Sequence, residues 1–132
     1  MTTINSNDPK WCVIGQSDLF LARLIQRFAE KHDMQIQHAR TGEDVLELVE
    51  RFAPILIILK LEIPGKLRGW DVTKQLKINP QTNTIPLILC SWLNRMDALA
   101  LAGEVSAFLP LPGLNYEEFA EALKIIGIKN EM

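Results

Sequence analysis

Residues 55–59 read Ile-Leu-Ile-Ile-Leu, an unbroken apolar run that is rich in β-branched side chains. A strand with one face in solvent alternates apolar and polar residues, so an unbroken run is typical of a strand buried on both faces. Such strands occur at the centre of parallel sheets whose two faces are covered by helices. We therefore expect residues 55–59 to form the central strand of an α/β domain.

The segments on either side of this run alternate between helical and extended patterns. Leu21, Leu24, Ile25 and Phe28 follow the spacing of one helix face, whereas residues 34–39 alternate apolar and polar side chains. Continued along the chain, this reading yields five extended segments, each followed by a helical one. The alternation predicts a doubly wound parallel sheet in the flavodoxin-like order 2-1-3-4-5, with the half-polar second strand at an edge.

One domain accounts for most of the 132 residues, and we place it at residues 10–128. The predicted strands lie at residues 11–14, 34–39, 55–59, 85–90 and 107–109. Helices are predicted to begin near Asp18, Thr41, Trp70, Met96 and Asn115. Residues 1–9 are polar and lack an apolar segment, so they predict a disordered lead-in and not a signal peptide.

Composition excludes several classes of protein. The net charge is −2 and no basic stripe is present, which argues against a nucleic-acid-binding surface. No run approaches the roughly 18 apolar residues that a membrane span requires. Cys12 and Cys90 both lie within apolar runs and lack metal-ligand spacing, so we expect two reduced core thiols in a cytoplasmic protein.

The middle of the chain carries a more specific pattern. Residues 63–92 read IPGKLRGWDVTKQLKINPQTNTIPLILCSW. This stretch resembles the response-regulator receiver domain family, in which a turn, a helix, a Pro-x-Thr loop, an Ile-Pro pair and a Thr or Ser follow one another. The positions that carry the resemblance are Pro64, Gly69, Leu76, Pro80, Thr82, Ile85, Pro86, Ser91 and Pro112. The likeness extends from about Trp11 to Ile126 and implies a receiver fold with a role in signalling.

The positions that would carry phosphoryl transfer depart from the family pattern. Receivers place an acidic pair after the first strand to hold magnesium, and here the matching residues are Gly15 and Gln16. Lys60 stands where the acceptor aspartate belongs, and Leu111 replaces the lysine that follows the fifth strand. Ser91 keeps the hydroxyl position. The resemblance thus predicts a degenerate phosphorylation pocket with no catalytic residue, no metal and no cofactor.

The remaining residues at this pocket leave some alternatives open. Asp18 and Glu62 bring the only other carboxylates, too few oxygen ligands for a hard cation, and Asp18 is most simply a helix cap. Lys60 either bridges Asp18 or Glu62 and locks one state of the switch, or extends its ammonium group into solvent. Because receivers commonly have a cis bond at this place, we expect the Leu111–Pro112 peptide bond to be cis.

The function predicted from these residues is a non-phosphorylatable protein–protein interaction module. Its partner would be another signalling protein or a second copy, since the chain ends soon after the last predicted helix. The expected surface is the face of the fourth helix, fifth strand and fifth helix, with Trp92, Leu99, Leu101 and Tyr116 as candidate contacts. In the competing interpretations, Trp92 plugs the empty pocket and the apolar fourth helix merely packs on the sheet.

Two other classes of function, a small-molecule sensor and an enzyme, are alternatives to an interaction module. A small-molecule sensor would use the altered pocket and would show an apolar cavity among Trp92, Leu93, Leu111 and Pro112. A flavin or nucleotide enzyme would need a phosphate-binding loop after a strand. The chain has no GxGxxG motif and no P-loop, and Gln16-Ser17-Asp18 is too short, so we do not expect an enzyme.

Overall fold

The computed structural model describes residues 8–128, which form a parallel sheet in the order β2-β1-β3-β4-β5 with five helices. The strands are β1 (Trp11–Gly15), β2 (Gln35–Ala39), β3 (Leu56–Lys60), β4 (Leu87–Ser91) and β5 (Ala107–Pro110). The helices are α1 (Leu19–Glu30), α2 (Gly42–Phe52), α3 (Gly69–Ile78), α4 (Arg95–Ala102) and α5 (Tyr116–Ile126). The predicted fold class and strand order are confirmed. Most of the predicted lead-in, residues 1–7, lies outside the described residues.

The apolar run is the central strand, as predicted. β3 pairs with β1 on one side and β4 on the other, and Leu56–Leu59 are at most 1% exposed. The strand begins one residue later than predicted, because Ile55 is 37% exposed, and it continues to Lys60. β2, with its alternating polar residues, lies at the sheet edge.

Two apolar clusters cover the two faces of the sheet. Alternate β3 residues enter opposite clusters, so Ile58 packs with α1 and α5, whereas Ile57 packs with α2, α3 and α4. Cys12 and Cys90 are buried free thiols in the first cluster. Burial raises the pKa of both, and with the added charge of Glu62 it raises the pKa of Cys90 to about 12. Among the described helices, none has the length and apolar character of a membrane span.

The predicted helix caps form. Asp18, Thr41 and Asn115 are the N-caps of α1, α2 and α5, and the side chain of each accepts a hydrogen bond from the backbone N–H three residues later. Such a cap stabilises a helix by about 1 kcal/mol. The carboxylate of Asp18 is therefore already used at the start of α1.

The loop that follows β3 is fixed to the start of α2. Both carboxylate oxygens of Glu43 accept a hydrogen bond from the backbone N–H of Lys66, at 3.1 Å each. The backbone N–H of Gly42 donates to the carbonyl of Pro64, also at 3.1 Å. A Cβ atom at Gly42 would lie 2.1 Å from the carbonyl oxygen of Leu67, so this close approach requires glycine.

These hydrogen bonds make the contribution of Glu43 to stability depend on pH. Bonds from its own backbone N–H and from that of Lys66 lower its pKa. The ionised carboxylate therefore stabilises the folded state above the ordinary carboxyl pKa, and this contribution is lost as the pH falls through the lowered folded-state pKa. We expect Glu43→Gln to lower the thermal midpoint near neutral pH, and the midpoints of variant and wild type to converge in acid.

Thermal unfolding followed by circular dichroism across this pH range measures the effect. Glu47→Gln is the matched control on the same helix, because the Glu47–Arg51 ion pair is 63–65% exposed and contributes little. A Glu43→Gln midpoint that stays equally far below wild type at every pH would contradict the assignment to the carboxylate charge.

Candidate functional site

The residues of the predicted pocket gather at the carboxyl edge of the sheet. Gly15 ends β1, Lys60 ends β3 and Ser91 ends β4. Gln16 and Leu111 follow directly after β1 and β5. Since parallel strands end at the same edge, these positions are neighbours, and ligand sites of doubly wound sheets lie at this edge.

Gly15 lies in space that is already filled. The residue is buried, and a Cβ atom there would lie 2.7 Å from Cγ2 of Val45 and 3.0 Å from Cδ1 of Leu59. Cδ1 of Ile63 would be 3.3 Å away. Because the contact with Val45 is closer than packed carbon atoms allow, apolar side chains occupy the place from which an acidic side chain would have to start.

Gln16 replaces an acid with a neutral side chain that is 3% exposed. Its backbone N–H donates to the carbonyl of Ala39 and its Oε1 accepts from the backbone N–H of Asp18, both at 3.0 Å. Its buried Nε2 has no hydrogen-bond partner among the described residues. Gln16 thus fixes the turn between β1 and α1 and adds no negative charge.

Lys60 is half-buried, and within residues 8–128 no ion pair joins it to Asp18 or Glu62. Of the two alternatives left open for Lys60, the bridge to a carboxylate is therefore not formed in this structure. The Nζ atom instead lies 5.9 Å from the ring centroid of Trp92, at the outer limit of a cation–π contact. Trp92 is itself 54% exposed, so about half of its surface faces solvent.

The surviving hydroxyl is occupied by a carboxylate of the chain. Ser91 is fully buried, and its Oγ donates a hydrogen bond of 2.5 Å to Oε2 of Glu62. The same Oγ accepts a hydrogen bond from the backbone N–H of Leu93 at 3.0 Å. Short bonds to an ionised acceptor are among the stronger hydrogen bonds in proteins. Glu62 was one of two carboxylates considered as partners for Lys60, whereas the structure pairs it with Ser91.

Leu111 faces the core. Its side chain is 4% exposed within the cluster of α1 and α5, and its backbone N–H donates to the carbonyl of Ser91 at 3.0 Å. The Leu111–Pro112 peptide bond is trans, so the expected cis bond is wrong. The trans form is intrinsically favoured by about 0.5–1 kcal/mol, and an apolar side chain that packs into the core has no need to reach the pocket.

The side chains at the carboxyl edge do not fit the divalent cation that receivers hold there. Gly15 has no side chain, the oxygen of Gln16 is engaged, and Lys60 brings a positive charge. A hard cation needs several oxygen ligands. Across the described part of the chain, no three His, Cys, Asp or Glu side chains are placed to hold a metal ion.

The candidate contact residues on α4 differ in exposure. Leu101 is 46% exposed, whereas Leu99 is half-buried against the cluster of α2, α3 and α4. Met96, in the first turn, is 81% exposed. The helix therefore packs on the sheet with one side and leaves Met96 and Leu101 in solvent. Its apolar sequence thus supplies both a packed side and an exposed apolar side.

Tyr116 was predicted to contribute to the face of α4, β5 and α5, but its side chain packs against α1 instead. Its ring contacts Phe28 of α1 edge-on at 5.5 Å, and its hydroxyl lies 3.0 Å from Nε2 of His32. Nζ of Lys31 lies 4.2 Å above the ring. Tyr116 opens α5 on the side that packs against α1, and the sequence pattern of one helix does not reveal which neighbour an aromatic at its start will contact.

An open groove of about 650 Å³ runs along the free edge of β5 between α4 and α5. Its apolar lining includes Phe108, Leu109 and Ile125, and Ile125 is 70% exposed. Acidic residues of α5, Glu118 and Glu121, form part of its rim. This groove lies on the face predicted to be the contact surface.

The cavity expected of a small-molecule sensor is not among those seen. Three cavities of the described chain lie along β5, between α3 and the α4–β5 connection, and between α2 and α3. None of these is lined by Trp92, Leu93, Leu111 or Pro112.

Comparison with known proteins places this geometry in a family. The model of the response regulator receiver domain matches residues 13–110. Protein PilH of Pseudomonas aeruginosa is 33% identical over 60 residues, which cover 46% of this chain and 49% of PilH. The chain therefore spans about half the length of PilH, and it spans 21% of a second, larger relative.

Solved structures share the fold at lower identity. The signal receiver domain of a histidine kinase from Syntrophus aciditrophicus superposes with a TM-score of 0.78 at 23% identity, covering 93% of this chain and 95% of that one. The receiver domain of a sensor histidine kinase from Pseudomonas aeruginosa, which holds magnesium in its active-site cleft, gives 0.77 at 15% identity, covering 91% and 99%. With the family match extending from β1 to β5, this chain belongs to the response regulator receiver domain family.

Proposed function

We propose that this receiver domain acts without phosphorylation, as a fixed docking module for another signalling protein or for a second copy of itself. Receiver domains are signalling modules, so the coarse role follows from the family. The observation that carries the finer proposal is the replacement of the acceptor carboxylate by Lys60 next to a packed Gly15.

The pocket lacks the groups that phosphoryl transfer requires. Transfer to a carboxylate requires an acceptor oxygen, a divalent cation and a group that stabilises the developing charge. An amine at Lys60 cannot form an acyl phosphate, and neither Gly15 nor Gln16 contributes a charged ligand. Leu111 is buried where the family's lysine would reach the phosphoryl group.

The hydrogen bonding of Ser91 supports a fixed state. In receivers this hydroxyl is available to the phosphoryl group, whereas here it already donates to Glu62. The exposed apolar side chains Met96, Leu101 and Ile125 then supply a surface for docking. The small-molecule alternative has no comparable support, since none of the three cavities described above is lined by residues of the altered pocket.

The close packing at Gly15 leads to a prediction about stability. Gly15→Ala should lower the free energy of unfolding by about 1–3 kcal/mol, because its Cβ meets Val45. Adding Val45→Ala removes that contact, so the pair should cost less than the sum of the single changes, with a coupling of about 0.5–3 kcal/mol. Urea denaturation measures each value.

Val49→Ala is the control for this double-mutant cycle. Val49 is buried on the same helix as Val45, but none of its atoms is among those closest to Gly15. Its effect should simply add to that of Gly15→Ala. Equal coupling in both pairs would show that the space beside Gly15 is not the reason for the loss.

The loss of phosphorylation is tested with magnesium and acetyl phosphate. We expect no increase in intact mass for the wild type, and none for Lys60→Asp. That substitution restores an acceptor but leaves the metal ligands and the lysine absent. A receiver domain that accepts phosphate serves as the positive control. Efficient magnesium-dependent labelling of Lys60→Asp would show that the rest of the pocket is still functional.

The docking surface is tested with two glutamate substitutions on α4. Leu101→Glu should leave the thermal midpoint nearly unchanged while it weakens self-association or the capture of a partner. Leu99→Glu should instead destabilise the fold, because it would place a charge against the core. Sedimentation equilibrium and thermal unfolding measure the two effects. If Leu101→Glu assembles and binds as the wild type does, this face is not the interface.

A further inference from the structure

Ser91 joins two loops at the carboxyl edge of the sheet. Its Oγ donates to Glu62, which lies in the loop after β3, and accepts from the backbone N–H of Leu93, which lies in the loop after β4. A single buried hydroxyl therefore links the carboxylate of one loop to the backbone of the next.

We propose that Glu62 is a positioning residue for the docking surface: through Ser91 it holds the loop between β4 and α4, and with it Trp92 and the start of α4, in one arrangement. This inference rests on the proposed docking function. It holds that the carboxylate of Glu62 keeps the docking surface in one conformation. Glu62 itself is not required to touch the partner.

The carboxylate is held from its own side. The backbone N–H of Leu61 donates to the carbonyl of Cys90 at 2.8 Å, and the buried Leu61 and Ile63 flank Glu62. Further along the same loop, Glu43 holds the backbone N–H of Lys66. These restraints hold the backbone on both sides of Glu62, whose side chain is exposed, and thereby keep its carboxylate within hydrogen-bond reach of Ser91.

The other end of the link reaches the docking surface directly. Leu93 precedes Asn94, the N-cap of α4, whose Oδ1 accepts from the backbone N–H of Asp97 at 2.9 Å. Asn94 and Arg95 line the groove along β5. Movement of the backbone at Leu93 would therefore move the first turn of α4 and one end of the groove.

Removal of the carboxylate has a definite physical consequence. A fully buried hydroxyl that loses its acceptor is left unsatisfied, and a change of the Ser91 rotamer toward another acceptor moves the Oγ atom that accepts from Leu93. The loop then samples additional arrangements, and a partner that binds only one of them binds more weakly.

The first test uses nuclear magnetic resonance on Glu62→Ala. We expect the amide signals of Leu93 and Asn94 and the indole signal of Trp92 to shift. Hydrogen exchange at the Leu93 amide should quicken by roughly five- to tenfold, while signals of α2 stay in place. Glu62→Gln, which retains a carbonyl acceptor, should restore most of the wild-type signals. Glu50→Ala removes an equal charge from an exposed position on α2 and should leave the signals of Leu93, Asn94 and Trp92 in place.

The second test measures sedimentation of the same variants. Glu62→Ala should weaken assembly in the same direction as Leu101→Glu, and Glu62→Gln should weaken it less. Unchanged Leu93 and Trp92 signals in Glu62→Ala would overturn the positioning role, whatever the assembly state. If those signals move but neither Glu62→Ala nor Leu101→Glu alters assembly or partner capture, the docking function fails and so does this role for Glu62.

Discussion

The burial of β3 on both faces is the constraint on which the rest of the structure depends. A strand that must be covered twice requires helices on both sides, and the two apolar clusters supply them. The same strand delivers Lys60 to the carboxyl edge, where the sheet ends and solvent begins. The chain places a cation there without an ion pair among the described residues, and its ammonium group approaches the ring of Trp92.

Features encoded by local sequence periodicity were predictable. The unbroken apolar run indicated the central strand, the polar alternation of β2 indicated an edge, and the caps at Asp18 and Asn115 followed from residue type. Each of these depends on spacing within one element, or on the number of faces that an element must bury. The assembly of the pocket residues at one edge then follows from the parallel topology alone.

The sequence did not predict which of several neighbouring residues a given side chain contacts. The sequence indicated Glu62 only as a possible partner of Lys60, and the geometry alone shows that Ser91 takes it. Tyr116 was assigned to the wrong side of α5, because helix periodicity does not say which of two neighbouring elements receives the first residue of a helix. The peptide bond before Pro112 was carried over from the family, although the leucine before it packs differently from a lysine.

The packing of the altered pocket also differs from what a phosphoryl site requires. A phosphoryl site must keep polar ligands under-satisfied and leave room for a metal and its water, at a cost in stability. Here the space beside Gly15 holds Val45, Leu111 has joined the core, and the buried hydroxyl has an acceptor of its own. Under the proposed function, the two hydrogen bonds of Ser91 brace the loops after β3 and β4 against each other, which is the property that a permanently presented docking surface requires.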